Sequence, residues 1–164
     1  MRAIACLALA TLATAAVAQG ASRQAMLKTN AGAAAGTVSV VPAPKGMLLK
    51  VDVKGLTPGW HAIHVHEKGD CSDAAFKAAG GHTHAGTPPV HGLLNVSAND
   101  TGDLPNIHVA ADGTARAELF TALLTADAIS DADGSAIVIH AKPDDHQSQP
   151  IGGAGDRVAC GVFK

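Results

Sequence analysis

Residues 67–106 constrain most strongly what this chain can become. They separate two strand-like segments, are rich in Gly, Pro, His and Asp, and carry no long periodic run. An irregular stretch of that length inside a compact domain needs a source of order other than a ladder, and a metal ion with a disulfide supplies one. The segment that enters it ends in His64-Val65-His66. Two-residue alternation puts both imidazoles on one face of a strand, where they can bind a single ion.

Further donors follow at intervals: His82, His91, Asp100 and Asp103 within the stretch, and His140 at the end of the apolar run Ala136-Ile137-Val138-Ile139, from which it can return beside His64 and His66. Imidazole suits copper, zinc, nickel and iron alike. His82, His91 and Asp103 form the mixed nitrogen and oxygen set that zinc accepts. Asp144, four residues past His140, is placed to accept hydrogen bonds from the outer nitrogens of ligands and so hold their tautomers; the alternative is an ordinary acidic turn. His61 is read as a brace for the barrel, and His108 and His146 as structural or surface groups.

The beginning of the chain sets the compartment. Met1-Arg2, the apolar run 4–16 and the small-residue end Ala16-Val17-Ala18 read as a secretory leader over residues 1–18, with one domain over 19–164. The run is too short for a retained membrane span. Cys6 falls in the leader, which leaves Cys71 and Cys160 as a pair. An exported, oxidising setting favours a disulfide between them, a shared zinc being the alternative. Closing so long a loop stabilises the fold by roughly 4–5 kcal/mol in the chain-entropy account. With Arg2 set aside, fourteen acidic side chains face eleven basic ones. That balance argues against nucleic acid and against a cationic membrane-binding face.

With aromatic residues at 2 %, the core must be built from Val, Ile, Leu and Ala. Residues 30–36 read as a flexible Ala/Gly stretch, 37–41 as a strand, 42–46 as a turn, 47–53 as a second strand and 55–59 as another turn. One strand is expected over 60–66, with Trp60, Ala62, imperfectly Ile63, and Val65 as the packed set and the two histidines facing the other way. Regular structure returns at 107–109, 114–120 and 135–140, with Asp112-Gly113 and Asp133-Gly134 as turn signals. A short helical turn is possible over 123–129. A second loop, 141–156, precedes a closing strand over 157–163. Many short strands joined by Gly-rich turns indicate an antiparallel sandwich or Greek-key barrel.

Six segments carry a family resemblance. They are His61-Ala62-Ile63-His64-Val65-His66-Glu67, Gly69-Asp70-Cys71-Ser72, Ala79-Gly80-Gly81-His82, Gly102-Asp103-Leu104-Pro105, His140-Ala141-Lys142-Pro143-Asp144-Asp145-His146, and the run from Gly152 to Val162. In this order, across almost all of residues 19–164, the chain resembles the copper-zinc superoxide dismutases of the exported bacterial type. The resemblance implies an all-β, eight-stranded antiparallel Greek-key barrel with two long functional loops and one disulfide, Cys71–Cys160. It implies copper on His64, His66, His82 and His140, and zinc on His82, His91 and Asp103, with His82 bridging the ions as the catalytic ligand. Asp144 would link the shells. Arg157 would attract the anionic substrate, superoxide, a role its fixed positive fork suits.

The chain departs from the pattern at one position. Asp100 stands where the family has a zinc-binding histidine. Zinc on His82, His91, Asp100 and Asp103 is chemically open through oxygen. Completion by His84 or water, or a site without zinc, are the alternatives. Rival readings for the whole chain are a copper-buffering module on the same barrel and a histidine-rich zinc binder. Monomer and homodimer both stay open.

Overall fold

A computed structural model describes residues 21–164; the expected leader, its cleavage site and Cys6 lie outside the described residues. Nine strands follow in chain order: β1 (Arg23–Thr29), β2 (Ala34–Ala43), β3 (Gly46–Val53), β4 (Gly59–His61), β5 (Ile63–His66), β6 (Ile107–Val109), β7 (Ala115–Thr121), β8 (Ala136–His140) and β9 (Arg157–Val162). Among the described residues the remaining regular structure is two single 3₁₀ turns, Lys77–Ala79 and Asp127–Ile129. Seven strands form one antiparallel sheet in the order β5-β8-β9-β1-β2-β3-β7, and β4 pairs with β6.

The expected eight strands are recovered once β4 and β5 are seen as two halves of one. The single strand anticipated over 60–66 breaks at Ala62, where the chain passes from pairing with β6 to pairing with β8. Ala62 itself donates to Lys142 O at 2.9 Å and accepts from His140 N–H at 2.9 Å. A tight turn joins β6 to β7, with Ala110 N–H on Thr114 O at 2.8 Å, so the sheet curls round towards closure. β3 is followed in sequence by β4 yet lies beside β7, the Greek-key connection.

Alternation explains the inner face. In β3, Met47, Leu49, Val51 and Val53 are buried while Lys50 and Asp52 point outward to Glu118 and Arg116 of β7, at 3.4 and 3.3 Å. These exposed pairs add little stability; the inward side chains carry the fold.

Three expectations need correction. Residues 30–36 are not a flexible lead-in: they hold a turn and the start of β2, and a strand unforeseen in the sequence, β1, precedes them. Pairing with β2 and β9 orders β1 and buries Ala25 and Leu27. The turn after β2 is shorter than 42–46, because Pro42 and Ala43 still pair with β3. Proline is tolerated there since β1 ends its pairing at Val40, leaving that side of Pro42 without a strand partner. Trp60 is 57 % exposed and rests edge-on against His108, ring centroids 5.0 Å apart, because the β4–β6 pair turns it outward.

The long loops form their own small core. Phe76, Ala79, Ala136 and Val138 pack around the Cys71–Cys160 disulfide, whose Cα atoms are 5.9 Å apart. The disulfide thereby ties the 67–106 stretch to β9.

Candidate metal centre

β5 is buried on both faces: Ile63 and Val65 face the core, while His64 and His66 are covered by the two loops. β8 pairs with it in antiparallel register, Ile63 opposite Ile139, which brings His140 to the same end. Val138 lies opposite His64, so alternation puts His140 on the His64 face, and the β8–β9 register shifts beyond Ile139 with the extra residue, Val158, in β9. His82 arrives from the loop. Glu67 N–H bonds Gly81 O at 3.0 Å and Thr83 N–H bonds Val65 O at 2.9 Å, so residues 81–83 run alongside β5 and set His82 beside His66. Val65 N–H in turn meets Gly102 O at 2.9 Å. Glycine is required at 102, where a Cβ would overlap Val65 O.

His64, His66, His82 and His140 each offer one ring nitrogen, and these lie within 4.8 Å of one another. His64 Nδ1 and the Nε2 atoms of His66, His82 and His140 are buried with no hydrogen-bond partner among the described residues. Three of these rings have the other nitrogen committed. His64 Nε2 donates to Asp144 Oδ2 at 2.9 Å, His66 Nδ1 to Gly80 O at 3.0 Å, and His140 Nδ1 to Gly155 O at 3.1 Å. Those bonds leave a lone pair on each orphaned nitrogen. Burial, with repulsion from neighbouring cations adding to it, lowers His64 to about 4 and His140 to about 3, and pushes His66 well below its ordinary value. These three rings are therefore neutral at neutral pH, with their free nitrogens ready to donate. Three lone pairs converging with His82 Nε2 fit a soft-to-borderline cation such as copper.

The second nitrogen of His82 belongs to a different cluster. His82 Nδ1 is 3.1 Å from both Asp100 Oδ2 and Asp103 Oδ1; His91 Nδ1 is 2.9 Å from Asp103 Oδ1 and 3.7 Å from Asp100 Oδ2. Zinc bonds near 2.0 Å in a tetrahedron put donors about 3.3 Å apart. Those separations straddle that spacing, and all four residues are buried. Burial opposes charge on His91, but the carboxylates of Asp100, Asp103 and Asp144 outweigh it and hold the ring at about 11; His82 is raised in the same way by Asp100 and Asp103. Against burial, the histidines hold Asp100, Asp103 and Asp144 below the usual carboxylate range. Buried carboxylates in this number call for cations among them.

Asp144 joins the clusters, taking His64 Nε2 on Oδ2 and His91 Nε2 on Oδ1 at 3.0 Å. The loop over 141–156 is shaped around it. His146 N–H bonds Asp144 Oδ1 at 2.6 Å, and a Cβ on Gly152 would overlap that same oxygen.

Arg157, at the start of β9, donates to Phe76 O at 2.5 Å and Gly80 O at 2.7 Å. It lines a cleft with Glu67, Gly80, Gly81, His82 and His84. His84 does not complete the second cluster: it turns towards Glu67, Nε2 to Oε2 3.7 Å. His61 braces the centre as expected, Nδ1 at 2.7 Å from His140 O and Nε2 at 2.8 Å from Thr57 O.

Two supports were missed in the sequence. Asn106 clasps the Asp144 backbone, Oδ1 accepting at 2.8 Å and Nδ2 donating at 2.9 Å, and Gln149 does the same for His91. Both are single amides acting on main chain, which no residue pattern announces.

The comparisons with known proteins fall on this same architecture. The family described as copper/zinc superoxide dismutase (SODC) matches residues 34–163. A superoxide dismutase (Cu-Zn) of Caulobacter vibrioides is 58 % identical over 149 residues, covering 87 % of this chain and 86 % of that one. Among solved structures, a Cu/Zn superoxide dismutase from Brucella abortus superposes with a TM-score of 0.75 at 30 % identity, covering 88 % of this chain and 100 % of the other. A SOD-like protein from Bacillus subtilis gives a TM-score of 0.76 at 32 % identity, covering 85 % and 96 %.

Proposed function

This chain belongs to the copper/zinc superoxide dismutase family, and on that premise we propose that its two donor clusters are the metal sites of a working dismutase. Copper is held by His64, His66, His82 and His140; zinc by His82, His91, Asp100 and Asp103. The reaction takes two superoxide ions and two protons to dioxygen and hydrogen peroxide. Copper, when bound, supplies a one-electron couple between Cu(II) and Cu(I), and zinc supplies positive charge that orients the shared imidazole.

The chain's own groups do the rest. His64, His66 and His140 keep their lone pairs aimed inward because Asp144, Gly80 O and Gly155 O occupy their other nitrogens. His82 faces the first cluster through Nε2 and the carboxylates through Nδ1. Its Nε2 is therefore the atom at which a proton is held and passed to product, while Nδ1 stays engaged. Arg157, fixed by two carbonyls in the cleft, binds the anion and offsets the overall negative charge of the chain.

The observation that carries this reading is the placement of one imidazole between two unlike donor clusters. Residues 1–18 act as a leader for export to the periplasm and residues 19–164 as the domain; the Cys71–Cys160 bond supports an oxidising location. The test is reconstitution with both metals. The expected result is one copper and one zinc per chain with superoxide dismutation, and an N-terminus at residue 19 in protein recovered from the periplasm. Full copper loading without dismutation would overturn the catalytic reading in favour of copper storage.

A further inference from the structure

The two clusters differ in donor chemistry as well as in place. The first is four imidazoles; the second is two imidazoles and two carboxylates. Cu(II) stands at the top of the affinity order, favours nitrogen donors and prefers tetragonal geometry, whereas zinc accepts histidine and carboxylate in a tetrahedron. Exchanging a nitrogen for a carboxylate oxygen therefore takes more affinity from copper than from zinc.

Asp100 decides which way the second cluster leans. Its Oδ2 stands 3.1 Å from His82 Nδ1 and 3.7 Å from His91 Nδ1, and its Oδ1 is buried without a hydrogen-bond partner among the described residues. The backbone is held in place, since Asp100 N–H bonds Val90 O at 3.1 Å and the neighbouring Asn99 N–H bonds the same oxygen at 2.9 Å. His84, the nearby imidazole that would have supplied a third nitrogen, is turned to Glu67. Oxygen at this corner is thus built into the loop.

We infer that Asp100 makes the second cluster discriminate against copper, so that the two metals sort by the donor chemistry of the chain itself. The inference rests on the assignment of the clusters given under Proposed function. Copper goes to the four imidazoles, and copper that strays into the mixed cluster is readily replaced by zinc.

The test is a Cu(II) titration of the metal-stripped chain, followed by electron paramagnetic resonance and then challenged with Zn(II), for the wild type and for Asp100→His. In both, the first equivalent gives a four-nitrogen signal. A tenfold molar excess of zinc displaces most of the second equivalent from the wild type and leaves most of it in Asp100→His, a shift in the copper-to-zinc preference of about tenfold. Equal displacement from both proteins overturns the inference. Should Asp100→His fail to fold, the wild type decides alone, since retention of its second copper against that excess also overturns it. A first equivalent lacking the four-nitrogen signature overturns the cluster assignment itself, and the inference with it, and is distinguished by appearing before any second copper is added.

Discussion

Arg157 and Gly80 are joined by a hydrogen bond of 2.7 Å from Nη2 to the carbonyl oxygen, and the same oxygen takes His66 Nδ1 at 3.0 Å. One carbonyl thus fixes both the Arg157 guanidinium in the cleft and the tautomer of His66. Position and charge at Arg157 can be separated by substitution.

Arg157→Ala should lower the dismutation rate by about tenfold or more, because the chain's net negative charge then repels superoxide without local compensation. The wild-type rate should fall as salt rises, through screening of that local attraction. That fall with salt should be lost or reversed in the alanine variant, where salt screens only repulsion, and should persist in Arg157→Lys. Rates measured across a range of sodium chloride concentrations check this, and an unchanged slope in Arg157→Ala would refute the steering role.

Asp144→Ala should weaken both sites together, since one carboxylate holds His64 Nε2 and His91 Nε2. Loss of such an outer partner reduces metal affinity by about 10–100-fold. Gly152→Ala should do the same from a distance in sequence, because its Cβ would displace Asp144 Oδ1. Chelator competition for copper and zinc separately reads both effects; a loss confined to one metal would contradict the link.

Stability of the metal-stripped chain should peak near pH 6.5. Burial lowers His64, His66 and His140, so the unfolded chain takes up protons first as pH falls from 6.5 towards about 4, and stability drops. The carboxylates raise His82 and His91; their contribution is complete below 6.5 and is lost as pH rises from there towards about 11. The low folded-state values of Asp100, Asp103 and Asp144 add a further loss below about pH 4. Urea unfolding of the metal-stripped chain between pH 4 and 9 tests this, and a steady rise through pH 6.5 would contradict it.

Much of this was legible in the residues. Alternation located β3, an apolar run located β8, Asp112-Gly113 and Asp133-Gly134 marked the turns before β7 and β8, and His64-Val65-His66 announced two imidazoles on one face of a strand. β1 was missed because its inward positions are few and small, Ala25 and Leu27, and only pairing with β2 and β9 makes them core. The break at Ala62 was invisible because it is a change of partner strand, set by long-range pairing. Trp60 misled for a related reason: its apolar character suggested the interior, while the β4–β6 pair presents it to solvent beside His108. Asp100 was legible as a departure in donor type. Its nearness to His82 Nδ1 required the loop to fold.

Cys71→Ser should destabilise the fold by about 2–5 kcal/mol, because the bond closes a separation of 89 residues and anchors the small core around Phe76. Urea midpoints of oxidised wild type and variant, both metal-free, measure it. A change below about 1 kcal/mol would show that the loop is held chiefly by other contacts.

His82 faces both clusters, Nε2 towards one and Nδ1 towards the other. That placement can be read by loading Cu(II) into the first site and Co(II) into the second and recording the copper electron paramagnetic resonance signal. Coupling through one imidazole predicts that cobalt suppresses the copper signal in the wild type and leaves it intact in His82→Ala. A wild-type copper signal that cobalt leaves unchanged, with both metals shown to be bound, would contradict the account.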